Sequence, residues 1–222
     1  MNLTEAAAAL QKFGGDDLTR TLAKVETAVQ GMACKECTSA LNTFGINSEL
    51  IVAAALMKRV AGQVNVVIHA MGILACLPRL LEEGEHVQYV SLGAGNTGRN
   101  FDLETSHRVA EFKLIRWQGG PESIRQNQLF KDFYLLARTP TSKRKHLYVL
   151  GTDYPLKFLN GRRSLSSVLS RHAKVAELFR ADFGDRYVVV RDYYLDHRDK
   201  VHVEDVSQYV PDLVAEDVVE GE

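Results

Sequence analysis

Asn100-Phe101-Asp102-Leu103-Glu104-Thr105-Ser106-His107-Arg108-Val109-Ala110-Glu111-Phe112-Lys113-Leu114-Ile115-Arg116-Trp117 is the stretch on which the fold turns. Residues 100–105 read as a short strand and 108–117 as a longer one, with Thr105-Ser106-His107 as the turn that joins them into a hairpin. Side chains alternate faces along a strand. Ala110, Phe112 and Leu114 therefore share one face and point into a core. Glu111 and Lys113 share the other.

Upstream, residues 86–92 (HVQYVSL) are β-branched and aromatic and read as a further strand. Before them the period is helical. Residues 1–42 are broken at Gly14-Gly15-Asp16-Asp17. Asn47-Ser48 offers an N-cap, and Glu49 suits the positive end of the helix that follows. Residues 49–61 and 64–81 read as two packed helices, the second bent or ended near Gly72 or Pro78. Downstream, Gly119-Gly120-Pro121 breaks the chain. Residues 123–137 place Ile124, Leu129, Phe133 and Leu136 at helical spacing. A strand at 145–150, a helix at 165–183 and a last strand at 186–194 complete the reading. The expected fold class is α/β, a mixed central sheet flanked by helices. The expected organisation is a helical extension (1–42), a core domain (43–203) and an acidic tail (204–222).

The 222 residues, 45% hydrophobic and 25% charged, suffice for one ordinary soluble core. A net charge of -1 hides a segregation. Residues 138–174 carry nine cations against one acid, whereas 204–222 carry seven acids and no Lys or Arg. That pattern suits a phosphate-facing surface plus an acidic tail. Three cysteines make no disulfide framework, and the lone Cys34-Lys35-Glu36-Cys37 lacks the second pair of a zinc ribbon. No signal peptide is evident. The most apolar run, residues 64–81, is interrupted by Asn65, His69, Gly72, Pro78 and Arg79. It reads as a buried helix rather than a membrane span, so a cytoplasmic protein is expected.

A Glu and a Lys side by side on a mostly apolar strand are costly to bury unless something uses them. Asp102, on the preceding strand, approaches Glu111 across the ladder. Two converging carboxylates repel, and a divalent cation resolves the repulsion. Oxygen ligands suit Mg²⁺ or Mn²⁺, with Lys113 left to orient a water or hold a phosphate.

Asp102 followed by Glu111-Phe112-Lys113 resembles the PD-(D/E)XK nuclease superfamily, of restriction-endonuclease-like fold (αβββαβ). The resemblance covers roughly residues 47–150, about half the chain. It implies a Mg²⁺- or Mn²⁺-dependent nuclease acting on DNA. Asp102 and Glu111 would be metal ligands, the Phe112 carbonyl a third, and Lys113 the charge stabiliser. It further implies a Glu in the first core helix, for which Glu49 stands, and a Gln in the helix after the motif strand, Gln126 in preference to Gln128. The proline of the family name is absent, since Phe101 precedes Asp102. Arg99, Arg125, Lys143, Arg144, Lys145, Arg162 and Arg163 are the expected contacts to the nucleic-acid backbone. The alternative is an inactive nucleic-acid-binding or assembly module on the same fold, with a homodimer or a partner protein as its context.

Other motifs carry less. Gly93-Ala94-Gly95-Asn96-Thr97-Gly98 matches GxGxxG, but the residues after it read as a strand where a dinucleotide site needs a helix. His69 reads as a satisfied core or interface histidine, His197 and His202 as solvated, and Trp117 as core.

Overall fold

The structure, a computed structural model, describes residues 1–93, 101–117, 119 and 122–215, with backbone only at 34, 35 and 38. The chain falls into two compact units, Met1–Asn65 and Val66–Glu222. The first holds α1 (Leu3–Gly14), α2 (Leu18–Val29), α3 (Cys34–Thr43) and the beginning of α4 (Ser48–Leu80). Its helix starts follow from short polar caps. The Asn2 side chain and Glu5 cap α1 reciprocally, Asp17 accepts from the Arg20 amide at 2.9 Å, and Asn47 accepts from the Leu50 amide at 2.9 Å. Among the described residues of this unit only Ala6, Gly14 and Ala53 are buried.

Residues 49–61 and 64–81, expected as two helices, form one, α4. Gly62 and Gln63 between them lack a proline, and one glycine costs only about 1 kcal/mol in a helix interior. Pro78 is accommodated near its end. The helix is not buried throughout, as the sequence had implied. Ala70, Ile73, Cys76 and Leu80 are buried, while Val66, Val67, Met71 and Leu74 are exposed. By length and composition alone α4 is apolar enough to cross a membrane, with 22% of its most apolar window buried.

The second unit is built on one mixed sheet of β1 (Val87–Val90), β2 (Leu103–Thr105), β3 (Arg108–Lys113), β4 (Arg144–Val149) and β5 (His202–Asp205), in that order across the sheet. β1, β2 and β3 form an antiparallel meander. The chain then crosses through α5 (Ser123–Arg138) to lay β4 parallel to β3, and β5 adds parallel to β4. The turn between β2 and β3 is closed by the Thr105 hydroxyl, which accepts from the amides of His107 (3.1 Å) and Arg108 (2.9 Å).

Both faces of the sheet are covered. Ala110, Phe112 and Leu114 pack with Tyr148 against Ile73, Cys76 and Leu80 of α4. Gly72 permits this approach, since an added Cβ would lie 2.5 Å from Leu114 Cδ1. On the other face Val109, Leu147 and Val149 pack against α5 and a bundle of short helices, α6 (Asp153–Leu159), α7 (Leu165–Leu169), α8 (Ala173–Phe183) and α9 (Val190–His197). A last short helix, α10 (Asp212–Ala215), follows β5.

Three sequence expectations change here. The helix expected over 165–183 is two, α7 and α8, separated at residues 170–172. The strand expected over 186–194 is mainly α9, with one bridge from Val189 to Ser164. Val190, Tyr193 and His197 are buried at helical spacing, and Tyr193 stacks on His197 and meets Phe130, Phe179 and Tyr187 edge-on. This aromatic packing overrides the β propensity of Val188-Val189-Val190. His197, expected to be solvated, lies in that core. The fifth strand is instead His202–Asp205, the start of the acidic tail: Glu204 meets His146 at 3.0 Å, and Asp205 accepts from the amides of Gly151 and Ser207.

Candidate functional site

The site stands at the carboxyl end of β3, beside the first turns of α5. β3 sends Ala110 and Phe112 to one face, so Glu111 and Lys113 face α5. Asp102, just before β2, is pinned by its carbonyl, which accepts from the Ser91 amide at 2.7 Å. Its carboxylate accepts from the Phe112 amide at 2.9 Å, so a side chain continues the hydrogen bonding where the β2–β3 ladder has ended. That bond fixes Asp102 beside the two residues flanking Phe112.

Three charged groups then meet. Lys113 Nζ lies 2.9 Å from Glu111 Oε1 and 2.7 Å from Asp132 Oδ2. Asp132 comes from α5, is 4% exposed, and also receives Lys131 Nζ on Oδ1 at 3.0 Å. Burial opposes the charge of Lys113, yet Asp132 and Glu111 hold its pKa above the ordinary value. Glu111 goes the other way for a carboxylate: burial, with the charges of Asp132 and Asp102, pushes it up to about 7 against the pull of Lys113. A fifth group arrives from α4. His69 Nε2 lies 3.3 Å from Asp102 Oδ1.

The donor set tests whether a divalent cation fits. Two acids, Glu111 and Asp132, share Lys113, Asp132 also takes Lys131, and burial first, then the charges of Asp132 and Asp102, holds the Glu111 carboxyl near 7. Carboxylate oxygens suit Mg²⁺ or Mn²⁺, and His69 meets Asp102 at 3.3 Å, but the ligand atoms of His69, Asp102 and Glu111 do not all lie within 4.8 Å of one another. Among the described residues, the group that does draw its ligand atoms within 4.8 Å of one another is Glu82, Glu85 and His107. It fits a cation poorly, because Arg108 and Arg144 already neutralise it at 2.6 and 2.5 Å.

The expected site residues divide by position. Asp102, Glu111 and Lys113 come together. The Phe112 side chain is 1% exposed and its amide serves Asp102. Glu49 stands exposed in the first turn of α4, in the first unit. Gln126, near the start of α5, accepts from Arg163 Nη1. It lies six residues before Asp132, about 240° round the helix, whereas Gln128, one turn before Asp132, shares that residue's face. Arg125 reaches the Arg116 carbonyl at 2.7 Å, so Arg125 and Arg163 both stand at the site's end of the sheet. Arg162 is exposed between α6 and α7. Lys143, Arg144 and Lys145 lie at the other end, where Arg144 is in register with Arg108. There Lys143 binds Glu104 and Gln88 (both 2.7 Å), Arg144 binds Glu82, and Lys145 donates to the Ala137 carbonyl. Arg99 and the GxGxxG loop beyond Gly93 lie outside the described residues, and from Phe101 the chain runs into β2.

Two site residues were not foreseen, Asp132 and the role of His69. Each carried a signal. Asp132 sits three residues after Leu129 and four before Leu136, at the apolar phase of its helix, where a lone charge needs a reason. His69 holds the same phase in α4, four residues before Ile73 and seven before Cys76. It is a partnered histidine, as expected, but its partner is Asp102 and its side chain stays 28% exposed.

No family model, curated protein or solved structure matches the chain.

Proposed function

We propose that this protein is a metal-dependent nuclease that hydrolyses phosphodiester bonds, with DNA as the substrate, built on a restriction-endonuclease-like core. The observation that carries the reading is the cluster at the end of β3: Glu111 and Asp132 on Lys113, Asp102 held on the Phe112 amide beside them, and the Glu111 carboxyl pushed up by burial to about 7. The order α4-β1-β2-β3-α5-β4, an antiparallel meander followed by a parallel strand, supports the core that the Asp102…Glu111-Phe112-Lys113 pattern implies.

In this reading Asp102 and Glu111 would close around one divalent cation, Mg²⁺ or Mn²⁺, with the Phe112 carbonyl as a third ligand and His69 beside Asp102. A bound cation supplies Lewis-acid stabilisation of the charge that builds on a phosphodiester under attack. The chain supplies the rest. Lys113 places an ammonium beside the reacting phosphate, where its charge is worth more for being largely out of water. Arg125 and Arg163 stand at the same end of the sheet to receive neighbouring phosphates, and the cytoplasm is the expected place of action. Asp102 and Glu111, half-buried beside the buried Asp132, would without such a cation be a poor surface for DNA, so metal and substrate binding are coupled.

The test incubates the full chain with linear, circular and single-stranded DNA and with RNA, in EDTA, Mg²⁺ or Mn²⁺, beside Asp102→Asn and Lys113→Met. Cleavage that needs the metal and is lost in both variants is the expected result. Binding without cleavage under every condition overturns the nuclease and leaves the inactive binding module.

A further inference from the structure

The carboxyl ends of α5, α8 and α9 meet at the end of the sheet away from the β3 cluster. α5 begins beside that cluster, and at about 1.5 Å per residue its 16 residues carry the chain roughly 24 Å from it. A cavity of about 500 Å³ opens where the three helices end, with Ala137, Pro140 and Phe183 as its apolar wall and Arg138, His197 and Lys200 among its polar groups. That volume holds a small organic molecule. None of Asp102, Glu111, Lys113 and Asp132 lines it.

The charges around this cavity do not balance. The Asp182 carboxylate accepts from Arg138 Nε at 2.6 Å and Nη2 at 3.3 Å and from the Tyr134 hydroxyl at 2.7 Å, so that acid is already engaged. Lys200 has no acid partner among the described residues. Lys145 Nζ gives one of its three donors to the Ala137 carbonyl at 3.1 Å and likewise meets no carboxylate among them. The two ammonium groups act on each other: burial first, then the charge of Lys200, holds the Lys145 pKa below its ordinary value. His197 adds an acceptor. It is 7% exposed, its ring stacks on Tyr193 at 4.1 Å, and its Nδ1 donates to the Tyr193 carbonyl at 2.9 Å. Burial, with the charge of Lys200, lowers its pKa, so the ring is neutral and Nε2 keeps its lone pair. No described residue donates to that nitrogen.

We propose that this cavity binds a phosphate monoester carried on a planar ring with an N–H donor, the chemistry of a nucleoside monophosphate. The phosphate lies against Lys145 and Lys200, whose compact charges suit a dianion. The ring lies on Phe183 and Pro140 and donates to His197 Nε2, while Arg138 stays on Asp182. The carboxyl ends of three helices carry partial negative charge, so a phosphate settles here only through the lysines. Nothing in this inference depends on the nuclease reading.

Calorimetry on the full chain tests it, with adenosine monophosphate, adenosine and inorganic phosphate as the probes. The expected result is binding of the monophosphate at micromolar to submillimolar concentration, with each fragment weaker by about tenfold or more. Lys200→Met and Lys145→Met each weaken the monophosphate by about tenfold, and the double variant by more than either. Lys200 is exposed, so its substitution removes charge without touching the core. His197→Asn keeps a donor near Nδ1 and deletes Nε2, so it weakens the monophosphate and adenosine in the same proportion and leaves phosphate unchanged. Thermal unfolding of each variant shows that it folds, and the two lysine variants decide the matter if His197→Asn does not. Lys113→Met, at the far end of α5, leaves the monophosphate affinity unchanged. No binding of the monophosphate at about 1 mM overturns the inference. So does binding that survives the loss of both lysines, or binding that disappears in Lys113→Met and so belongs to the β3 cluster. Phosphate held as tightly as the monophosphate overturns the place given to the ring. A chain that binds the monophosphate and cuts no DNA removes the nuclease reading and leaves this one standing.

Discussion

β3 carries charge at both ends, and the two ends are built on opposite accounts. At its start, Arg108 is 4% exposed and binds Glu85 through two nitrogens at 2.7 and 2.6 Å, with Tyr148 on a third at 2.9 Å. Thr105 also donates to Glu85. Near its end, Glu111 and Lys113 meet Asp132 and Asp102. Burial opposes charge at both places. At the first, two arginines face two glutamates, and the bonds from Arg108 and Thr105 hold the Glu85 carboxyl down to about 2. At the second, burial, with the charges of Asp132 and Asp102, outweighs the pull of Lys113, and Glu111 rises to about 7. A buried ion pair that is complete is a fastener. One in which burial lifts a carboxyl toward neutrality is a candidate functional site.

The largest effects should separate the two ends by what they damage. Arg108→Met leaves Glu85 buried without its partner, which costs about 3–5 kcal/mol of stability. Chemical denaturation should show that loss directly, and a loss below about 1 kcal/mol would mean that water has already entered the clasp. Glu111→Gln should do the reverse. It removes a charge that its surroundings disfavour, so stability above neutral pH holds or rises, while DNA cleavage falls about a hundred- to a thousandfold, the usual scale for losing one electrostatic contributor to a transition state. Cleavage that survives Glu111→Gln would put the chemistry elsewhere.

How much of this contrast is legible in the sequence depends on range. The hairpin, the face shared by Glu111 and Lys113, and the approach of Asp102 follow from a period of two over sixteen residues (Asp102 to Trp117), which is local. His69 and Asp132 reach the site through packing of helices on the sheet, and only their wrong-polarity place in an apolar stripe marks them beforehand. The clasp is likewise non-local: Glu85 and Arg108 are 23 residues apart. The basic block at 138–174 shows why charge counts mislead. Its excess is answered by acids from elsewhere, with Arg138 on Asp182, Lys143 on Glu104 and Arg144 on Glu82. The triple valine at 188–190 reads as strand because sequence shows propensity and not the aromatic core that makes a helix there.

A middle-sized effect should have opposite signs at the two ends. Glu85 has a folded value of about 2 against an ordinary 4.5, so its stabilisation is present above pH 4.5 and is lost as pH falls toward 2. Glu111 has a folded value of about 7 against the same 4.5, so folding favours its protonated form and stability declines as pH rises from 4.5 to 7. Each shift is worth on the order of 3 kcal/mol at most. Denaturation across pH 3–8 with Glu85→Gln and Glu111→Gln should flatten the acid limb in the first and the neutral limb in the second. Saturating Mn²⁺ should abolish the neutral decline in the wild type and leave the acid limb unchanged. If one substitution alters both limbs equally, the two clusters are electrostatically one and the contrast fails.

The smallest effect concerns which cations face DNA. Lys143 and Arg144 lie beside the clasp, five strand positions from Lys113, and are engaged with Glu104 and Glu82. At about 3.3 Å per residue that is roughly 17 Å from the site. Arg125 and Arg163 stand at the site's end, where the first reaches the Arg116 carbonyl and the second Gln126. A side chain that contacts a phosphate releases a counterion, so its loss weakens binding about equally for all sequences and lowers the slope of log affinity against log salt by about one. Arg163→Gln should do this in Mn²⁺ with a catalytically silent Asp102→Asn background, and Arg125→Gln should do less, because Arg125 also pairs with Glu122 at 3.0 Å. Lys143→Gln should leave the slope unchanged, because its charge is already spent within the protein. A reversed result would place the DNA track along the clasp, and the scissile phosphate would then have to reach Glu111 from the amino end of β3, past the buried Arg108 and Val109.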